Sequence, residues 1–156
     1  MLFRSGRPYA PGVHYSSTYL DLPPTPQFSF GHGLSYSRFA LSDLRCKPTD
    51  VKADDTIEVS LAVHNESQIA GEATLFLFAR DPVASIARPL LELKGVQKAV
   101  LAAGERTDVT WRLPVKDLSF VGPNFEPVLE PGRFEIHVGQ SAEPSGLLSC
   151  AVELTK

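Results

Sequence analysis

Acidic side chains are the first residues of this sequence to test for acid–base chemistry. Two carboxylates facing each other across a cleft could hydrolyse a glycosidic bond, one as acid and the other as nucleophile or base. The acids here fall in turns or on the polar sides of alternating strands. Asp81 is the exception, because it ends a strand that is apolar on both sides, and a turn or hydrogen-bonding role before Pro82 is the favoured interpretation. The sequence therefore predicts no catalytic residue.

Neither the histidines nor the loop motifs of the sequence indicate nucleophilic, metal or phosphate chemistry. The sequence has no GxSxG or HExxH motif and no glycine-rich phosphate loop. His64 and His137 alternate with apolar residues, so both are expected on the solvent faces of strands. His32 lies between Gly31 and Gly33 and is expected as a turn residue, with contact to a substrate as the less favoured alternative. We expect no metal and no cofactor.

The two cysteines, Cys46 and Cys150, form no CxxC pair, and no histidine lies at zinc-ligand spacing from them. Two buried free thiols are the expectation, because free cysteine is among the most buried residue types. A disulfide requires that the first and last strands are neighbours, which the sequence leaves open.

Composition excludes several classes of partner. The chain has 156 residues and a net charge of −3, with no basic patch that would indicate nucleic-acid binding. No apolar run approaches the roughly 20 residues that span a membrane. Residues 1–12 lack the apolar stretch of a signal peptide. A single packed domain with an additional terminal segment fits these totals.

Alternation of apolar and polar residues predicts an all-β fold. It runs through residues 57–63, 109–113, 134–138 and 148–154, with turn signals between them and no helical stripe. Trp111 belongs to the core side of its strand. We expect an antiparallel β-sandwich of the immunoglobulin or fibronectin type III kind, with seven or eight strands.

Residues 1–35 differ from the rest of the chain. They contain five prolines and several aromatic residues without a sustained period. A plain flexible linker would be rich in Gly and Ser instead. We therefore expect an extended arm over residues 1–35 that buries its rings on a surface, followed by the sandwich domain over residues 36–156.

Two stretches indicate where that surface lies. In "ATLFLFARD", Phe76 and Phe78 face away from the core side, so their covering is the arm, a partner domain or another chain, unless a local irregularity turns both rings inward. In "PQFSFGHGLSYSRF", Gly31 and Gly33 can take a positive φ and allow a sharp turn. We expect the neighbouring rings to pack against a surface; they are Phe28, Phe30 and Tyr36.

Four motifs resemble glycoside hydrolase family 3 enzymes, the β-glucosidases and β-xylosidases. "FSFGHGLSYSRF" resembles the family's "PFGYGLSYTxF". "GEATLFLFARDPVASIARPLLELKGVQKAVLAAGERTDVTWRL" and "VLEPGRFEIHVGQSA" are similar, in order, to its "GxEVVQLYVRDPxASVxRPxKELKGFxKVxLxPGExxxVxFxL" and "xxPGxFxVxVGxSS". "GRPYAPGVHYSSTYLD" is similar to a stretch just upstream in periplasmic bacterial members. His32, Phe76 and Ser29 depart from the pattern, which has Tyr, a polar residue and Pro there.

The resemblance implies a C-terminal, non-catalytic fibronectin type III-like domain. The family's nucleophile and its acid/base residue lie in domains outside this chain, so the resemblance carries no catalytic residue onto any position here. It implies a parent enzyme that hydrolyses terminal β-linked glucosides or related glycosides and is periplasmic or secreted. It also implies docking against the parent's catalytic domains, with self-association through the exposed apolar face when those are missing. The residues expected at this junction are Phe28, Phe30, Gly31, His32, Gly33, Tyr36, Phe76 and Phe78.

Two alternatives from other classes remain. A carbohydrate-binding module would need exposed aromatic residues that form a stacking platform. A protein-interaction sandwich would bind a partner or itself through Phe76 and Phe78.

Overall fold

The computed structural model of the chain describes residues 26–156. Residues 1–25 of the predicted arm lie outside the described part. Ten strands follow one another along the chain: β1 Phe39–Lys47, β2 Asp50–Val51, β3 Thr56–Asn65, β4 Gly71–Arg80, β5 Glu92–Leu101, β6 Arg106–Pro114, β7 Phe120–Val121, β8 Pro127–Val128, β9 Gly132–Gly139 and β10 Leu148–Leu154. Within residues 26–156 the helical elements are two 3-10 turns, Val115–Leu118 and Pro144–Gly146.

The strands form two main layers. The first is an antiparallel sheet in the order β1-β3-β6. The second is a five-stranded sheet in the order β2-β10-β9-β4-β5, in which β2 runs parallel to β10 and the other pairs are antiparallel. A short ladder of β7 and β8 lies beside them. The predicted all-β sandwich is confirmed, with three two-residue strands that periodicity does not resolve.

The core lies between the two layers. Alternate residues of each long strand point into it, as the period-two pattern predicts. Trp111 of β6 packs against this core as a partly buried residue. Its largest fully buried members on β3, β4 and β9 are Ile57, Val59, Leu61, Val63, Leu75, Leu77, Phe134, Ile136 and Val138.

A disulfide joins the two layers. Cys46 of β1 and Cys150 of β10 are bonded, with their Cα atoms 6.2 Å apart. The expectation of two free thiols is therefore wrong. These strands are 104 residues apart in sequence but neighbours across the sandwich, a non-local adjacency that local patterns do not encode.

The connection between β4 and β5, residues 81–91, is fixed by a buried ion-pair network. The Arg88 guanidinium donates to Asp81 at 3.1 Å and to Glu92 at 2.8 Å. It also donates to the carbonyl of Leu118 at 3.1 Å and lies 5.2 Å from the centre of the Phe120 ring. The second carboxylate oxygen of Asp81 accepts the backbone N–H of Val83 at 3.1 Å. Asp81 thus closes the turn after β4 and pairs with a buried cation.

Candidate docking surface

The first described residues lie on the outer face of the five-stranded sheet. The ring of Phe30 is 5.3 Å from that of Phe76 and 6.3 Å from that of Phe78, both in edge-on arrangements. Such geometry is the favoured one for aromatic pairs. Phe78 is buried, and Phe76 is partly buried. The segment before β1 therefore covers the outward side of β4, which was one of the alternatives for these two phenylalanines.

Hydrogen bonds hold this segment in place. The carbonyl of Phe30 accepts the backbone N–H of Ala142 at 2.8 Å. The Ser29 hydroxyl donates to the Glu143 carboxylate at 2.7 Å, and the N–H of His32 donates to the Ser29 carbonyl at 2.9 Å. The turn is thereby tied to the connection between β9 and β10, and it has a defined position on the sheet.

Gly31 and Gly33 behave differently. Gly31 has φ +81°, and a Cβ there would lie 2.6 Å from the Cε2 atom of Phe76. Glycine is thus required at residue 31 by both backbone conformation and space. Gly33 has no positive φ, and a Cβ there would meet nothing within 4 Å. The freedom to take a positive φ is therefore used at Gly31 and not at Gly33, and the described domain places no steric demand on Gly33.

The remaining residues of the turn project from the sheet. The ring of Phe28 lies 4.7 Å from that of His32, and Phe28 is exposed. Leu34 and Tyr36 are 98% and 99% exposed. Tyr36 does not pack within the described residues, so its expected packing at the junction with a catalytic body stays a prediction. An exposed Leu–Tyr pair beside an anchored turn is a surface whose burial would be favourable.

Strand β5 extends the apolar surface toward the free edge of the sheet. Val96 pairs with Phe76 and Leu93 pairs with Phe78 across the β4–β5 ladder, so their side chains share the outer face. Val96 is 53% and Leu93 is 43% exposed. We call these residues the apolar patch: Phe30, Phe76, Phe78, Leu93 and Val96. Sequence reasoning missed Leu93 and Val96, because a register shift between Leu77 and Phe78 interrupts the alternation along this hairpin.

Ion pairs border the apolar patch on two sides. Lys98 of β5 lies 2.6 Å from Glu72 of β4, and both side chains are exposed. Arg80 of β4 lies 3.3 Å from Glu135 of β9. An apolar centre surrounded by solvated polar groups is the usual anatomy of a protein–protein interface.

His137 occupies the β9 side of the patch, opposite Phe78. Its side chain is only 16% exposed, so the expected solvated position is wrong. The Nε2 atom is buried without a hydrogen-bond partner and lies 3.5 Å from the Glu135 carboxylate. Burial lowers the pKa of His137, and the nearby Glu135 charge opposes that effect in part. His64 lies on the outer face of the three-stranded sheet and is partly buried.

The arrangement suits burial against a folded partner better than chemistry. Within residues 26–156, no cluster of three histidine, cysteine or acidic side chains could hold a metal ion. The acids nearest the patch, Glu72 and Glu135, are each paired with a cation. The described part of the chain also has no helix of the length and apolarity needed to span a membrane.

The amino-acid sequence is similar to a known domain family and to parts of two named bacterial enzymes. Residues 73–142 match the family described as the fibronectin type III-like domain. A periplasmic β-glucosidase of Salmonella typhimurium is 33% identical over 86% of this chain and 18% of its own length. A putative β-xylosidase of Formosa agariphila is 33% identical over 83% of this chain and 17% of its own length.

A solved structure gives the same picture. A β-glucosidase from Listeria innocua, in complex with glucose, superposes with a TM-score of 0.86 at 38% identity. The match covers 98% of this chain and 21% of that protein. The chain thus spans about a fifth of the length of the proteins it resembles.

Proposed function

We propose that the chain belongs to the fibronectin type III-like domain family and is the non-catalytic accessory domain of a glycoside hydrolase family 3 β-glucosidase. In this proposal residues 36–156 form the accessory domain and residues 1–35 form the junction from the catalytic part. The parent enzyme hydrolyses terminal β-linked glucosides or related glycosides. The relatives are named as both β-glucosidases and β-xylosidases, which is consistent with sugar specificity that lies outside this domain.

One observation carries the proposal: the chain enters the domain across the apolar patch. Phe30 is anchored on Phe76 and Phe78, so the polypeptide that precedes it in a longer protein is tethered on that face. Gly33 is unconstrained within the domain, and Leu34 and Tyr36 are bare. A catalytic body packed on this turn would bury Leu34 and Tyr36. That burial would fix the angle between the catalytic body and the sandwich. The domain then braces the catalytic domains and borders the active-site mouth.

Hydrolysis and binding assays test the proposal. Full-length enzyme and the 156-residue chain would be assayed with p-nitrophenyl β-D-glucoside and the matching xyloside, and titrated calorimetrically with cello-oligosaccharides. We expect turnover by the full-length protein, and neither turnover nor binding heat from the chain. Binding heat from the chain would favour a carbohydrate-binding module. Turnover by the purified chain would contradict an accessory role.

We also propose that the parent enzyme is periplasmic or secreted. The Salmonella typhimurium relative is named periplasmic, and a disulfide such as Cys46–Cys150 persists in oxidising compartments. Thiol counting on denatured protein from periplasmic and cytoplasmic fractions tests this. We expect the full-length protein in the periplasmic or secreted fraction with Cys46 and Cys150 oxidised, and recovery in the cytoplasmic fraction with both thiols reduced would contradict the proposal.

A further inference from the structure

We infer that the interface with the catalytic body extends beyond the junction turn to strand β5, with Leu93 and Val96 buried beneath that body. This inference rests on the proposed function and adds the surface on which the domain is held. The occupant is the catalytic part of the same polypeptide. Neither the turn motif nor the family match at residues 73–142 assigns these two side chains a role.

The apolar surface is continuous from β4 onto β5. Val96 lies directly opposite Phe76, and Leu93 lies opposite Phe78, so the β5 side chains extend the surface on which Phe30 lies. The two rings on β4 are already covered by Phe30, whereas Val96 and Leu93 remain about half exposed. A body that rests on Phe30 therefore finds its next apolar contacts on β5.

Two ion pairs border the apolar patch along the strands. The Lys98–Glu72 pair lies beyond Val96, and the Arg80–Glu135 pair lies beyond Phe78. Paired charges can remain hydrated at the rim of an interface at little cost. The apolar patch thus has natural limits along the strands, which match a footprint on one side of the sheet.

The polypeptide outside the described part joins the domain next to the apolar patch. The described part begins at residue 26, two residues before Phe28, and the related enzymes are about five times longer than this chain. A large body tethered next to an apolar patch has a high effective concentration there. A separate partner would have to compete with that tethered body, which favours the intramolecular occupant.

Strand β5 lies at the edge of its sheet. Free edge strands promote association between chains unless they are covered or carry charges. Lys98 supplies one charge on the outer face of β5, but Leu93, Val96 and Val100 are all exposed. A catalytic body over Leu93 and Val96 would cover the exposed apolar side chains of this edge strand.

The test replaces two residues of similar shape, Val96 and Thr110, with the same residue, lysine. Val96→Lys places a charge in the apolar patch, and Thr110→Lys places the same charge on the exposed outer face of β6. Both would be made in the full-length enzyme and in the 156-residue chain. The measurements are thermal unfolding by calorimetry, sedimentation, and hydrolysis of p-nitrophenyl glycosides.

We expect both variants of the 156-residue chain to unfold at the wild-type temperature, because both positions are exposed. In the full-length enzyme, Val96→Lys should make the sandwich domain unfold in a separate transition at a lower temperature. Thr110→Lys should unfold like the wild type. Identical behaviour of the two full-length variants would overturn the inference. So would a full-length enzyme that dimerises while its Val96→Lys variant is monomeric, because the occupant would then be a second copy.

The activity measurement separates the two proposals. A full-length protein that hydrolyses the aryl glycosides, but in which Val96→Lys behaves like Thr110→Lys, contradicts only the extended interface. A full-length protein without glycosidase activity contradicts the proposed function itself.

Discussion

The outer faces of the two main sheets have opposite characters. On the three-stranded sheet, β3 and β6 present polar side chains to water, among them Glu58, Ser60, Asp108, Thr110 and Arg112. No exposed large hydrophobic residue of the described chain lies on that face. On the five-stranded sheet, Phe30, Phe76 and Phe78 form an aromatic cluster that continues into Val96 and Leu93.

This difference shows which side of the domain is adapted to burial. Both faces belong to the same sandwich and share one core, so core packing does not require the second face to be apolar. A solvated sheet face alternates polar residues with the core residues, and the three-stranded sheet follows that rule. The five-stranded sheet departs from it on β4 and β5, around the entry of the chain and at Val100. We therefore attribute the departure to a covering body and not to the fold.

The disulfide joins the two sheets, and its loss has the largest expected effect. Replacing Cys46 and Cys150 with alanine releases a cross-link across 104 residues. The chain-entropy estimate for a loop of that size predicts a loss of about 4–5 kcal/mol of unfolding free energy. Urea unfolding of the double variant measures it, with reduced wild-type protein as the control. An unchanged urea midpoint would mean that the layers are held together without the bond.

Arg88 belongs to a buried ion pair, whereas Arg106 belongs to an exposed one. Arg88→Met leaves the buried Asp81 carboxylate unpaired and should cost about 3–5 kcal/mol. Arg106→Met on the polar face removes an exposed pair with Asp43 and should cost less than about 1 kcal/mol. Denaturant unfolding of both variants checks the contrast. Equal costs would show that burial does not distinguish the two pairs.

Gly31 is constrained by contacts within the domain, whereas Gly33 is not, and alanine substitutions compare the two. In the 156-residue chain, Gly31→Ala should weaken the attachment of the Phe30 turn to the sheet by about 1–3 kcal/mol. The reason is that φ is +81° and Phe76 occupies the Cβ position. Gly33→Ala should cost nothing measurable there. Amide exchange at Ala142, which donates to the Phe30 carbonyl, is the readout. Fast Ala142 exchange in both variants, or in neither, would contradict this assignment.

The smallest expected effect is the pH dependence from His137. Burial lowers its pKa in the folded state, so between the folded pKa and the usual value of about 6.5 the unfolded chain binds more protons. Stability should therefore be complete above that usual value and decrease as the pH falls through it. His137→Gln should flatten this part of the stability profile, whereas His64→Gln on the polar face should preserve it. The same slope in both variants would rule out His137 as its source.

The sequence predicted the architecture because local alternation records which side of a strand is buried. It also located the unusual side of β4, since two phenylalanines on a face that should be wet require a covering. It did not predict the Cys46–Cys150 bond, the burial of His137 or the part that Val96 plays in the patch. Each of these depends on which distant strand lies alongside, or on a register shift, and neither has a local signature.

Side-chain footprinting tests the central claim most directly. Hydroxyl-radical oxidation would be compared between the full-length enzyme and the 156-residue chain. We predict that Leu93, Val96 and Tyr36 react more slowly in the full-length enzyme, while Thr110 and Arg112 of the polar face react equally in both. Equal oxidation of the apolar patch in the two proteins, or protection of the polar face instead, would contradict the account.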